Sequence, residues 1–314
     1  MQIKQLVEIV KETANDWKED NATRLSASLA YYTVLSIAPL LVLAVSVAGL
    51  VYGEDAAKGQ IADQISGVVG EQAGAAIQTV LSHAKAPEEG IFSSIVGIVV
   101  LLFGASGVFG ELQASLNEIW KVAPKPGRGF WGVVQQRFFS FAMVLGVAFL
   151  LLVSLLLSAA IAGIGGAFSR ALPGGTWVWE AVNFLFSLGV VTALFALIYK
   201  VLPDAEVGWR DVWMGALVTA LLFSIGKFGL GMYLGRASVA SPYGAAGSFI
   251  VFVIWVYYAA QILFMGAEFT QVFARHRGHR IEPSAHAVPI EVVKKVVNED
   301  GTKSVAQVQK PRTA

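Results

Sequence analysis

LSASLAYYTVLSIAPLLVLAVSVAGLVYG, residues 25–53, runs for 29 positions without one Asp, Glu, Lys or Arg. A helix crosses the hydrocarbon core of a bilayer with about 20 mostly apolar residues. A membrane β-strand would alternate apolar and polar side chains over about 10 positions, which this run does not do. The chain on either side repeats the pattern. Residues 90–110, 138–168 and 181–199 are free of charge, 212–234 contains only Lys227, and 237–267 contains none, its dense part beginning near Gly247. In lipid every backbone N–H and C=O must be satisfied within the protein, which makes each run a helix. The fold class expected is therefore all-α: a polytopic membrane helix bundle of about six transmembrane helices. The whole chain agrees, with 314 residues, 55% hydrophobic, 14% charged and a mean hydropathy of +0.63. Soluble domains carry about 25% charge.

Lysines and arginines in the flanks set the orientation. Lys4, Lys11, Lys18 and Arg24 precede the first span. Lys121, Lys125, Arg128 and Arg137 lie between spans 2 and 3, Lys200 and Arg210 between spans 4 and 5, and eight more in the tail. The opposite side has Lys58, Lys85, Arg170 and Arg236. This alternation places both termini in the cytoplasm. Residues 1–275 then form the transmembrane domain, and 276–314 a polar, largely flexible cytoplasmic tail. Within that tail, 291–297 and 304–309 are able to pair as a hairpin, although an isolated hairpin is marginal.

The longest external segment, 54–89, is acidic, and its apolar residues from Ile61 to Leu81 recur near helical spacing. It reads as amphipathic helix broken near Val69-Gly70 and packed over the mouth of the bundle. A gate or substrate collar is the sharper alternative. Trp17, Trp120, Trp131, Trp177, Trp179, Trp209 and Trp213 fall near span boundaries and fit an aromatic belt.

Polar groups inside the apolar runs are the candidate functional residues. Ionisable side chains at membrane depth face the bundle interior or a cavity. Lys227 is the clearest case, with Gly231 and Gly235 on its face; snorkelling towards the outer surface is the structural alternative. Tyr257, Gln261 and Glu268 form a polar stripe ending span 6. By depth, Glu268 is expected to meet Arg24 at the foot of span 1. Span 1 itself is polar, with Tyr31, Tyr32, Ser36 and a helix-breaking Pro39. It is expected to line an interior path or to pack through its hydroxyls.

Several chemistries lack their residues. With no cysteine there is no disulfide, thiolate site or cysteine nucleophile. No H-E-x-x-H, G-x-S-x-G or Walker A sequence occurs. No cofactor, no metal site and no enzymatic activity are expected. The net charge of +1 supplies no field for nucleic acid.

Ala30-Tyr-Tyr-Thr-Val-Leu-Ser-Ile-Ala-Pro-Leu40, Lys227 with Tyr233, Tyr243-Gly-Ala-Ala-Gly247, Trp255-Val-Tyr257 and Gly266-Ala-Glu268 follow one another along the chain. In this order they resemble the YihY/virulence factor BrkB family over roughly residues 10–275. The resemblance implies a bacterial inner-membrane protein of six helices. Members were formerly labelled ribonuclease BN, but Glu111, Glu118, Asp204 and Glu206 stand on different loops here and make no nuclease motif. The function expected is a transporter or flippase of an envelope lipid, an anionic amphiphile or a small solute, with the substrate open. The alternative is a non-transporting scaffold or assembly factor of the envelope. The expected partner is the lipid bilayer, with homo-oligomerisation left open.

Overall fold

A computed structural model describes residues 3–83, 91–126, 176–236, 246–290, 292–297 and 303–309. Helix α1 (Ile3–Glu19) turns at Asp20-Asn21 into α2 (Ala22–Tyr52). Asn21 takes a left-handed conformation, φ 52°, which asparagine tolerates better than most residues. Gly53 and Gly70, at φ 82° and 87°, then separate α2 from α3 (Glu54–Val69) and α3 from α4 (Glu71–His83). The break expected at Val69-Gly70 is thus a backbone requirement for glycine. Helix α5 (Ile91–Ile119) leads to a short strand β1 (Val122–Pro124). Then come α6 (Thr176–Val201), β2 (Ala205–Glu206), α7 (Trp209–Arg236) and α8 (Gly247–His276), followed by four strands, β3 (Glu282–Pro283), β4 (Ala287–Pro289), β5 (Val292–Val297) and β6 (Lys303–Gln309).

Helix α8 is the hub: it packs against α1, α2, α4 and α7. Its first half joins Leu41 and Val45 of α2 and Ile77 and Leu81 of α4 through Val251, Phe252 and Val256. Its second half joins α2, α5, α6 and α7 through Leu263, Phe264 and Ala267. Helix α4 is therefore part of the packed bundle. Helices α2 and α5 meet through small residues: a methyl group on Gly104 would come within 2.7 Å of Pro39 Cγ, and one on Gly107 within 3.1 Å of Ser36 Oγ. Close approach of this kind replaces the hydrophobic effect as the adhesive between helices in lipid. Ser36 is buried here, and Ser26 and Thr33 return their hydroxyls to carbonyls one turn back. Of these hydroxyls, that of Ser36 lies at the contact with α5.

Among the described residues, four helical segments are long and apolar enough to cross a membrane: Ala22–Ser46, Phe184–Val201, Trp209–Leu230 and Gly247–His276. They match the expected spans 1, 4, 5 and 6. The second expected span falls in α5; the third, 138–168, lies outside the described residues. At about 1.5 Å per residue, the 30 residues of α8 extend about 45 Å, more than the roughly 30 Å core.

Hydrogen-bonded pairing crosses the boundary expected at residue 276. Strand β4 pairs antiparallel with β1, and β3 with β2, so residues 282–289 bind both loops at this end of the bundle. Lys121 and Lys125 add further bonds to Ile290 and Ala285. Strands β5 and β6 form the hairpin anticipated for 291–309, with a register shift at Lys294/Lys295.

Candidate functional site

The polar residues divide between two regions. At the tail end of the bundle they are consumed in pairs. Asp20, at the α1–α2 turn, receives the Lys121 ammonium at 2.6 Å, with both side chains almost fully buried. Asn117 and Asp204 bond twice: the Asn117 amide donates to Asp204 Oδ2 at 2.9 Å, and the Asp204 N–H donates to Asn117 Oδ1 at 2.8 Å. Lys200 donates to the Val207 carbonyl. Asp211, buried in the first turn of α7, faces His279 at 2.7 Å and Arg277 at 3.8 Å. Arg275 at the end of α8 holds Glu12 and Asp16 of α1, and His276 also reaches Glu12. Burial pushes the Glu12 carboxyl up, but the hydrogen bonds and charges of Arg275 and His276 outweigh it and hold its pKa below 4.5.

Arg24 does not meet the acid expected for it. Its guanidinium donates to Glu118 at 2.7 Å from a side chain that is 66% exposed, while Glu268 is fully buried. Depth along the helix axis brought Arg24 and Glu268 level but carried no information about which faces met. Trp120 departs from the aromatic belt for a similar reason. Only 3% exposed, it donates its indole N–H to the Ala267 carbonyl. Trp209 and Trp213 are exposed, as a belt requires. Higher in the bundle, Tyr199 of α6 donates to the Leu263 carbonyl at 2.7 Å and shares a 3.0 Å hydrogen bond with Thr219. Both hydroxyls lie over Gly266, where any side chain would collide with them. This node joins α6, α7 and α8. In the sequence Tyr199 is only the end of an apolar run, and its position beside Lys200 is the one available signal.

Lys227 has a different setting. At about 100° per residue, it shares a face of α7 with Ala216, Ala220 and Phe223. The two alanines are fully buried, and Phe223 packs against Phe195 and Trp255. The outward row of α7 is another face, carrying Leu221, Ile225, Phe228 and Met232. Lys227 continues the inward face and is nevertheless exposed. Tyr31 of α2 is 61% exposed and Tyr32 38%, in an edge-to-face pair at 5.7 Å. Pro39, Tyr257 and Gln261 are half-buried. The backbone of Tyr233 lies in α7, while Tyr243 is outside the described residues. Among the described residues no group of three His, Asp or Glu is placed to hold a metal ion.

Long apolar helices packed through small residues around a central span define an integral membrane helix protein. A sequence model of the family described as Virulence factor BrkB matches residues 13–291, and the chain belongs to that family. It is similar to UPF0761 membrane proteins of Verminephrobacter eiseniae (28% identity; 83% of this chain and 61% of the relative) and Rhodospirillum centenum (26%; 88% and 59%). A third, from Tolumonas auensis, is 32% identical over 56% of each chain. The chain thus spans about three fifths of the length of the first two relatives. No solved structure matches it.

Proposed function

We propose that this protein moves an envelope lipid, an anionic amphiphile or a small anionic solute across the bacterial inner membrane, with both described ends of the chain in the cytoplasm. The observation that carries this reading is the exposure of Lys227 on the inward face of α7. A cation at membrane depth is costly unless a protein partner, water or a ligand attends it. An inward, accessible ammonium fits a phosphate or carboxylate head group. Lys227→Met keeps the length of the side chain and removes the charge. In proteoliposomes of the purified protein, transfer of labelled phospholipid or anionic solute is expected to fall at least tenfold in this variant while its thermal unfolding is unchanged. Equal flux with and without the lysine contradicts the role.

The pairs at the tail end support a second reading, a scaffold that carries nothing. Asp20–Lys121 ties the α1–α2 turn to the turn after α5, Asn117–Asp204 ties α5 to the loop after α6, and the Tyr199 node joins α6, α7 and α8. In that case Lys227→Met lowers stability or partner binding and no flux exists to lose.

A further inference from the structure

Helix α1 is amphipathic twice over. Ile9, Thr13 and Asp16 are buried against α8, where Ile9 joins Phe269, Val272 and Phe273. Round the helix from that face, Leu6, Val7 and Val10 form a second apolar row that is 50%, 48% and 56% exposed. Beyond this row stand Lys4, Lys11 and Lys18, all exposed and seven residues apart, which aligns them along the axis. The acids Glu8, Glu12 and Glu19 follow on the far side. The circuit therefore runs protein contact, apolar row, lysine row, acidic row.

We propose that α1 is a membrane-surface helix, with Leu6, Val7 and Val10 in the acyl boundary of the cytoplasmic leaflet and Lys4, Lys11 and Lys18 on the phosphates of anionic phospholipid. The bilayer is the occupant that three observations favour. The apolar row continues a lipid-facing surface: Val218 of α7 packs on the same cluster as Ile9, and beside it Trp213, Met214 and Leu217 are exposed. Trp213 and Met214 lie four and five residues from the start of α7, about 6–8 Å along its axis, which is interfacial depth. The lysines lie between the apolar row and the acids, the order in which a headgroup plane would sort them. Arg275 and His276 clamp the acidic side through Glu12, and with Ile9 buried against α8 the apolar row is left on the free side of the helix. The cytoplasmic assignment rests on the orientation proposed above; the surface-helix assignment requires only that α8 spans the membrane.

The absence of cysteine makes site-directed spin labelling direct. The full chain carrying Val7→Cys, Val10→Cys or Glu8→Cys is labelled and reconstituted in nanodiscs of phosphatidylcholine with or without phosphatidylglycerol. Expected are oxygen access and protection from a water-soluble nickel relaxant at positions 7 and 10 but not 8. Phosphatidylglycerol should deepen positions 7 and 10, and this effect should disappear when Lys4, Lys11 and Lys18 are all changed to Gln. The single-cysteine chains with native lysines provide a test even if the triple variant fails to fold. Nickel access at 7 and 10 equal to that at 8 would overturn the proposal. Spin–spin broadening between labels of two chains would also do so, because it assigns the apolar row to a second copy.

Discussion

Asp20 and Lys121 show how strongly one residue pair can bind two distant parts of the chain. A buried ion pair contributes little beyond a well-packed apolar pair, but removing one partner strands a charge at a cost of about 3–5 kcal/mol. Lys121→Met is therefore expected to lower the unfolding temperature sharply in detergent. Adding Asp20→Asn should recover much of the loss, and a double variant no more stable than the worse single one would contradict the pairing. At Tyr199, removing the hydroxyl takes away the bonds to the Leu263 carbonyl and to Thr219, which keeps the Gly215 carbonyl as a partner, a loss of about 0.5–1.5 kcal/mol. Gly266→Val should be worse than Tyr199→Phe, because it displaces both hydroxyls. Expression with retained detergent monodispersity would measure this, and a stable Gly266→Val protein would refute the packing described. Lys227 was legible in the sequence as an isolated charge in an apolar run; its side-chain exposure on the inward face was not, since exposure depends on what the neighbouring helices leave open.

The helices differ in how plainly they were written. Runs of about 20 residues or more with at most one charge mark α2, α5, α6, α7 and α8 because lipid requires long apolar helices. The turn at Gly70 was marked by glycine between two amphipathic stretches. Helix α1 is concealed in the sequence because its lysines and acids interrupt every apolar window, although Leu6, Val7, Val10 and Trp17 recur at helical intervals. Strands β1 to β4 left no trace at all. Each is two or three residues long, and their pairing joins positions more than 70 residues apart. The clamp between α1 and α8 has a pH signature. Since the Glu12 pKa is held below 4.5, its contribution is fully present above that value and is lost as pH falls through the depressed pKa. A spin label at Asn15→Cys should become more mobile on acidification below pH 4.5, and Glu12→Gln should flatten that change. Mobility independent of pH would contradict the clamp.

As a whole, the molecule combines a tightly bonded tail end with an exposed Lys227 further along α7. Strands β3 and β4 tie the loop after α5 to the loop after α6, so any movement that opens a path at this end must also move the tail. Topology belongs to this scale as well. If both ends face the cytoplasm, cysteines at Lys294 and Lys58 should label from opposite sides of sealed vesicles, and labelling from the same side would refute the orientation.

The most direct test concerns whether Lys227 meets water or lipid. In a chain without native cysteine, Lys227→Cys and Phe228→Cys place thiols on faces of α7 about 100° apart. A membrane-impermeant, charged methanethiosulfonate is then applied to reconstituted protein. Rapid modification at Lys227→Cys with none at Phe228→Cys is the predicted result, and protection by an anionic amphiphile would strengthen it. No modification at Lys227→Cys in folded protein would place that face in lipid or tight packing and contradict a transport path beside α7.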